Sequence, residues 1–267
     1  MGIILCVTGY INDETERKRL VTMRDVAKRA GVSVATVSRV LNDSGYVNED
    51  TRKTVEAAIE EMKFKPNSVA RSLFKKQSKT IGLIVPDINN PFFPQLARAV
   101  EDVTNESEYT VILCNSDDNL DKEIRYFEML QQKYVDGVLV VSNTLKPEHI
   151  SHFKFPIIAL DRPLDSNIPF VTCNNYEGAR KATMHLIECG CRKVAHISGP
   201  KHIANANDRL KGYKDTVIEK GMYDSDLILP AVYQIDAAKK AAFQLLSKFP
   251  DIDGIFAGND VMAIGVI

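Results

Sequence analysis

The stretch from Ser33 to Leu41 combines short polar side chains with one arginine at spacings that suit a helix. Val37, Val40 and Leu41 repeat at helical intervals, so they would bury one face and leave the others turned outward. A guanidinium can pair with O6 and N7 of guanine, while hydroxyls can hold phosphates. The predicted contacts are base edges for Val34, Ala35 and Arg39, and phosphates for Ser33, Thr36 and Ser38. A plain three-helix bundle with a solvated Arg39 is the alternative.

A second set of chemically useful groups follows the predicted strands of the remaining chain. Aromatic rings can cover the apolar face of a sugar, and carboxylate, amide and guanidinium groups can bind its hydroxyls. Loops that offer such groups are typical of a carbohydrate pocket. Each also has a simpler explanation, namely core packing for the rings, a local ion pair, and a helix cap. The residues are Asn90, Phe92, Phe93, Asp161, Arg162, Arg209 and Asn259.

The first set requires a helical unit to present it. Val26, Ala27 and Ala30 share a helical face, and Gly31 can take the left-handed conformation that ends a helix. Ser33 is a good N-cap for a second helix three residues later. A third helix is expected from about Asp50 to Met62. Helix, tight turn and helix is the arrangement that places a second helix in the DNA major groove.

The segment from Asn67 to Leu73 follows Pro66 and contains one or two turns of potential helix, which is too short to be stable unaided. Val69, Ala70 and Leu73 lie beside Arg71, which suits a wedge that opens a minor-groove step while the cation sits near phosphate. A disordered linker is the alternative.

The second set, the candidate sugar-binding residues, requires a sheet to position it. The apolar run from Thr80 to Pro86 is typical of a parallel strand buried on both faces, and a helix is expected from Phe92 to Ser107. Parallel sheets bind ligands beyond the carboxyl ends of their strands. Further strands are predicted at 109–115, 137–142, 156–160, 193–198, 227–229 and 254–257, with helices near 121–135, 176–189, 207–221 and 236–248. Asn174 and Asn175 are interpreted as turn and cap residues rather than ligands.

Charge is divided along the chain. Lysine and arginine total 34 against 35 acidic residues, yet residues 21–80 hold twelve basic and seven acidic groups, and residues 81–267 are net negative. A basic segment such as residues 21–80 suits a polyanionic partner. No apolar run reaches the roughly 18 residues needed to cross a bilayer. The five cysteines have no CxxC spacing and lie mostly in apolar stretches, so we expect reduced core residues in a cytoplasmic protein.

Enzyme signatures are absent from the sequence. The chain has no GxGxxG after its first strand, no GxxxxGK[ST] and no GxSxG, and its five histidines lack HExxH spacing. We therefore expect neither an enzyme nor a metal or cofactor.

The run from Met23 to Asn42, followed by Pro66 to Leu73, resembles the LacI/GalR family of bacterial repressors over residues 21–267. The resemblance implies a helix-turn-helix domain that reads half of a palindromic operator, and a hinge helix over Asn67–Leu73 whose leucine enters a central base step. It also implies a homodimer. The second set of residues is similar to the family's effector sites, with Asn90, Phe92, Phe93 and the Asp161–Arg162 pair closest to the ribose type.

The predicted organisation is an extension over 1–22, an all-α helix-turn-helix domain over 23–66, a hinge helix and linker over 67–79, and an α/β core over 80–267. That core resembles periplasmic binding proteins, with two doubly wound parallel-sheet subdomains, the second truncated. We expect a cytoplasmic transcriptional repressor of a carbohydrate operon, controlled by ribose or a related pentose. Two alternatives are a catabolite-control-type regulator that needs a phosphoprotein co-repressor and a sugar-binding transport protein.

Overall fold

The computed structural model describes residues 21–65 and 77–267 and divides the chain into two compact units, 1–71 and 72–267. The cysteine at position 6 and the predicted hinge contacts lie outside the described residues. Those hinge residues are Asn67, Val69, Ala70, Arg71 and Leu73. Across the ranges 21–65 and 77–267, no helix combines the length and apolar content required to span a bilayer.

The first unit consists of three helices, α1 (Met23–Ala30), α2 (Val34–Asn42) and α3 (Glu49–Glu61). Thr22 starts α1 with a capping box, in which its side chain and that of Asp25 each accept a backbone N–H. Gly31 ends α1 with φ 66°, as predicted from its lack of a Cβ. Local hydrogen bonds and the left-handed glycine therefore fix where α1 begins and ends.

A small apolar core holds these helices together. Val26, Val37 and Val55 are fully buried, one from each helix, and Phe64 covers them after α3 ends. Burying a valine side chain contributes roughly 1.5 kcal/mol or more. The predicted apolar face of α2 is confirmed, because Val37 and Val40 are buried and Leu41 packs beside them. The opposite face of α2 is thus free for contacts outside the unit.

The second unit contains two parallel sheets. The first has the order β2-β1-β3-β4-β5 and the second β7-β6-β8, and every pairing is parallel. Because the pairings are parallel, the carboxyl ends of the strands in a sheet point the same way. The strands are β1 (Thr80–Val85), β2 (Thr110–Asn115), β3 (Gly137–Val140), β4 (Ile157–Leu160), β5 (Phe170–Val171), β6 (Val194–Ser198), β7 (Ile228–Pro230) and β8 (Gly254–Ala257).

Helices follow most of these strands and cover the sheets, as expected for α/β subdomains. One core packs Ile84, Phe127 and Val140 in the first subdomain, and another packs Ile197, Leu245 and Met262 in the second. The helices are α4 (Phe92–Glu106), α5 (Leu120–Gln132), α6 (Pro147–Ile150), α7 (Asn175–Glu188), α8 (Ala204–Glu219), α9 (Ile235–Lys248) and α10 (Asp260–Val266).

Two details differ from the sequence-based expectations. Helix α8 begins at Ala204 rather than 207, so Asn205 lies within the helix and not in the loop before it. Its start has no side-chain cap, which removed the usual sequence signal. The two-residue strand β5 was missed because it is exposed and too short to show a pattern.

The prediction that the cysteines are core residues is wrong for most of those described. Only Cys114 is buried, while Cys173 and Cys189 are exposed and Cys191 is intermediate. The reason is that Cys173 precedes a helix and the other two lie at a helix end, where apolar neighbours in sequence do not imply burial. All four are free thiols.

Candidate functional site

Helix α2 presents the predicted DNA-contacting residues on its exposed side. Val34 keeps 42% of its surface exposed, which is unusual for valine, and Ala35 and Arg39 are also exposed. Arg29 and Arg52 form ion pairs with Glu61 and Asp43, whereas within the described residues the Arg39 guanidinium has no such partner. An unpaired guanidinium beside exposed apolar groups can reach a base edge.

Hydrogen bonds along α2 involve all three hydroxyls that are predicted to hold phosphates, those of Ser33, Thr36 and Ser38. Ser33 Oγ accepts a hydrogen bond from Thr36 N at 3.1 Å and lies 2.9 Å from Thr36 Oγ1. Ser38 Oγ accepts from Asn42 Nδ2 at 3.3 Å. Ser33 is therefore both the helix cap and one of the groups that face outward at the positive end of the helix dipole.

An exposed tyrosine beside this helix was not predicted. Tyr46, between α2 and α3, is 88% exposed. No hydrophobic pattern marks it, but its position in a turn next to α2 makes its hydroxyl a further candidate for a phosphate contact.

The second unit contains a cavity of about 970 Å³, which is at the upper end of the range for ligand pockets. Its lining comes from the carboxyl ends of strands in both sheets, the location expected for α/β folds. The structure brings all seven predicted effector residues together there: Asn90, Phe92, Phe93, Asp161, Arg162, Arg209 and Asn259. These residues are far apart in the sequence, and the parallel order of the strands brings them to the same cavity.

The aromatic wall of the cavity is built by the start of α4. The Phe92 and Phe93 rings meet edge to face with centroids 5.2 Å apart. Phe93 is 6% exposed and packs in the core, as its simpler interpretation required, while Phe92 is 47% exposed. Asn90 shapes this turn, because its Oδ1 accepts from Phe92 N at 3.2 Å. Both rings nevertheless contribute to the lining, so packing and ligand contact are compatible.

Arg162 is the most informative group in the cavity. Its side chain is only 8% exposed, and its Nη2 donates to Asp161 Oδ2 at 3.3 Å. Within the described residues its buried Nε and Nη1 atoms have no hydrogen-bond partner. A buried donor without a partner costs about 1 to 3 kcal/mol, and more when it is charged. Acceptor oxygens of a ligand in the cavity would satisfy these atoms.

Asp161 and Asn205 connect the two subdomains beside this arginine. Asp161 adopts φ 67°, an uncommon conformation for a non-glycine residue. Its backbone oxygen accepts from Thr172 Oγ1 at 2.6 Å and from Asn205 Nδ2 at 3.2 Å. Because Asn205 lies on α8, this bond links the first sheet to a helix of the second subdomain.

Arg209 and Asn259 are held rigidly on the second subdomain. Arg209 Nη1 donates to Gly258 O at 2.6 Å, and its Nε donates to Asn175 Oδ1 at 2.8 Å. Asn259 caps α10 by accepting from Met262 N at 2.9 Å, so its simpler interpretation as a cap also holds. Asn174 is the N-cap of α7, as predicted. Asn174 and Asn175 also line the cavity, and the interpretation that neither is a ligand stays a prediction.

Tyr233 and Asn143 line the cavity but were not predicted. Tyr233 lies in the loop after β7, which ends at Pro230, and a Cβ on Gly199 would clash with its hydroxyl, so the glycine permits this close approach. Burial raises the pKa of Tyr233, although the charges of Arg209 and Arg162 lower it. The carboxyl-end rule would have found Tyr233, but the strand boundary was placed one residue early.

A buried carboxylate positions the loop that carries Asn143. Glu123 is fully buried and accepts hydrogen bonds from Ser142 Oγ at 2.9 Å, Ser116 Oγ at 3.3 Å and Thr144 Oγ1. Burial raises the pKa of Glu123, and these hydroxyls act in the opposite direction. Asn143, between two of the donors, bonds Asp118 Oδ1 at 2.8 Å. Glu123 therefore fixes one rim of the cavity without lining it.

Among residues 21–65 and 77–267, no group of three or more His, Cys, Asp or Glu side chains is arranged to hold a metal ion. The polar groups of the cavity are amides, two guanidinium groups and the carboxylates of four aspartates, which can donate to and accept from the hydroxyls of a polyhydroxylated ligand.

Two sequence profiles match the chain. The profile described as bacterial regulatory proteins, lacI family, matches residues 22–67, and that of periplasmic binding proteins and the sugar binding domain of the LacI family matches residues 78–267. The ribose operon repressor of Halalkalibacterium halodurans is 50% identical over 248 residues, which cover 93% of this chain and 74% of that protein.

Solved structures show the same similarity. A Lac repressor dimer bound to operator and the anti-inducer ONPF is 25% identical with a TM-score of 0.82, covering 93% of this chain and 76% of that one. A periplasmic binding protein/LacI transcriptional regulator from Alkaliphilus metalliredigens, complexed with D-xylulofuranose, is 34% identical with a TM-score of 0.62 and covers 70% of each chain.

Proposed function

The chain belongs to the LacI family of bacterial regulatory proteins, and from that premise we propose a mechanism for it as a sugar-responsive repressor of a carbohydrate operon. Helix α2 reads operator DNA, and ribose or a closely related pentose binds in the cavity. The observation that carries the sugar assignment is the buried Arg162, two of whose donors have no partner among the described residues, in a cavity that Phe92 and Phe93 also line.

The DNA contact is supported by the exposed face of α2. Val34, Ala35 and Arg39 face base edges in this proposal, with Ser33, Thr36 and Ser38 on phosphates. The protein acts as a homodimer in the cytoplasm on a pseudo-palindromic site, since one α2 reads one half. Leu73 enters the central step, which must be easily deformed.

The sugar contact is supported by the pattern of donors and rings. Phe92 and Tyr233 can cover an apolar sugar face, while Arg162 and Asn90 offer hydrogen bonds to hydroxyls. A pentose agrees with two of the similar proteins, one being a ribose operon repressor and the other a complex with a pentulose.

The coupling between sugar and DNA follows from the position of the cavity. Its lining comes from both sheets, and the Asn205–Asp161 bond joins the two subdomains at its edge. A ligand that fits one arrangement of the subdomains better than another shifts the population toward it. Operator affinity then changes by the ratio of the two sugar affinities.

Titration calorimetry with ribose, xylulose and glucose tests the sugar assignment. We expect ribose or the pentulose to bind, and Arg162→Gln to weaken binding about tenfold or more because charged hydrogen bonds are lost. Arg180→Gln is the matched control, since Arg180 pairs with Glu219 on the surface of α7 and α8 at 2.7 Å. Equal affinities of the two variants would contradict the role of Arg162.

Selection from random duplexes tests the DNA assignment. We expect enrichment of a two-fold symmetric sequence whose affinity falls steeply with salt. Leu73→Ala should weaken specific binding far more than binding to random DNA, and equal losses would refute the wedge.

If no sugar alters DNA binding and a phosphorylated partner protein is required, the phosphoprotein co-repressor alternative replaces the sugar assignment. The transport alternative leaves residues 22–67 without a role.

A further inference from the structure

Two cysteines and a histidine meet at the end of α7, away from the cavity. His185 and Cys189 are four residues apart on one helical face, and Cys189 Sγ lies 3.6 Å from His185 Nε2. Both residues are exposed. Gly190 follows with φ 101°, which turns the chain sharply before Cys191. The sequence Cys189-Gly190-Cys191 thus places a second thiol two positions after the first.

We propose that Cys189 and Cys191 form a reversible disulfide in response to peroxide, with Cys189 as the attacking thiol and Cys191 as the resolving thiol. Redox-sensitive cysteines are accessible, have a proton acceptor nearby and are followed by a second thiol. Cys189 has all three features. Cys173 is also exposed, but within the described residues it has no imidazole partner, so the chain contains its own control.

The chemistry balances with peroxide as the oxidant. His185 Nε2 takes the Cys189 proton, and the thiolate attacks one peroxide oxygen, so that an S–O bond forms and the O–O bond breaks. The proton then joins the departing hydroxide to give water. Cys191 next attacks the sulfenic sulfur, an S–S bond forms, the S–O bond breaks, and the second water leaves with the Cys191 proton.

The environment of Cys191 fits the resolving role. Its Sγ donates to Asp253 O at 3.3 Å, next to the backbone N–H groups of Arg192 and Lys193 that Asp253 also holds. Burial, then the charges of Asp253 and Cys189, raise the pKa of the Cys191 thiol. The Cys191 thiol therefore stays protonated until it reacts.

The disulfide would change the structure at the amino ends of two strands of the second sheet. Asp253 immediately precedes β8 and Lys193 immediately precedes β6, whereas the cavity lies at the carboxyl ends of these strands. Oxidation breaks the Cys191–Asp253 hydrogen bond and rearranges the turn between α7 and β6.

Peptide mapping of the full chain after graded peroxide treatment tests this proposal. Cys189 and Cys191 fall in one tryptic peptide, 182–192, so their disulfide appears as a loss of two hydrogen atoms that dithiothreitol reverses. We expect iodoacetamide to modify Cys189 about fivefold faster than Cys173, and His185→Gln to remove that difference. Cys191→Ser should stop at a sulfenic acid that dimedone traps.

Two outcomes would overturn the proposal. One is modification of Cys189 at the same rate as Cys173 in the unaltered protein. The other is conversion of Cys189 to sulfinic acid without any disulfide in the peptide. Both are measured on the unaltered chain, so a folding defect in a variant cannot produce them.

Discussion

Helix α2 and the cavity of the second unit place their candidate functional groups in opposite ways. Val34, Ala35 and Arg39 lie within six consecutive positions and are exposed, whereas Arg162 and Asn205 are buried and come from different subdomains. Exposed groups make few contacts within the protein, so replacing them should alter recognition and leave stability nearly unchanged. Buried groups are bonded to one another, so replacing them should alter both.

The largest expected effect is therefore in the buried region. Glu123→Ala leaves three hydroxyls without their acceptor and removes a buried side chain, so the second unit should lose roughly 3 to 4 kcal/mol of its free energy of unfolding. Urea unfolding followed by hydrogen exchange in each unit measures the loss. Glu123→Gln keeps one acceptor oxygen and should lose less. A loss of stability confined to residues 21–65 would show that Glu123 does not stabilise the second unit.

The next effect is a pH dependence of stability that arises from a buried histidine of the second unit, since residues 1–71 contain no histidine. His196 is fully buried, its Nδ1 lies 2.7 Å from Phe256 O, and its ring stacks on Phe256. Within the described residues its Nε2 has no partner. Burial is the main cause that lowers the pKa of His196 to about 4, against the backbone hydrogen bond, which raises it.

Because the folded-state pKa is lower than the unfolded value of about 6.5, His196 favours folding above pH 6.5. That contribution declines as the pH falls to about 4, by roughly 1.4 kcal/mol per pH unit. Urea midpoints between pH 7 and 4.5 should fall less steeply for His196→Phe than for the unaltered chain. His152→Gln is the control, as His152 is exposed. Equal slopes for all three proteins would exclude this role.

The residues of α2 are contiguous and those of the cavity are dispersed, and this difference explains how much of each could be predicted from the sequence. The functional part of α2 is contiguous, so its N-cap at Ser33, its buried Val37 and its exposed Arg39 followed from spacing alone. The cavity residues Asp161 and Asn259 were found because parallel strands make their carboxyl-end loops predictable. Tyr233 and Asn205 were missed because each depended on an element boundary, and Glu123 was missed because a buried carboxylate with hydroxyl partners has no sequence pattern.

In the exposed region, Arg39→Ala should change recognition and not stability. Loss of one bidentate contact should relax base preference at one position per half-site by about 1 to 3 kcal/mol. Competition between the selected duplex and single-base variants measures the preference, and urea midpoints should be unchanged. Lys53→Ala is a control for general charge loss, since Lys53 is an exposed residue of α3. An unchanged preference would remove Arg39 from the interface.

The smallest expected effect separates the two roles of Ser33. Ser33→Ala removes the cap of α2, so the first unit should lose about 1 kcal/mol of stability. Ser33→Asp retains a capping oxygen and favours the helix dipole, so stability should be preserved. Its negative charge would nevertheless face phosphate, and DNA affinity should fall at low salt in this variant although its fold is intact.

Sugar titrations of both Ser33 variants should match those of the unaltered chain, because α2 and the cavity belong to different units. Binding at increasing salt gives the decisive comparison for Ser33→Asp, since repulsion from phosphate is screened and the deficit should shrink. If Ser33→Asp binds DNA as well as the unaltered chain at low salt, Ser33 is a cap alone and the phosphate contact must come from elsewhere on α2.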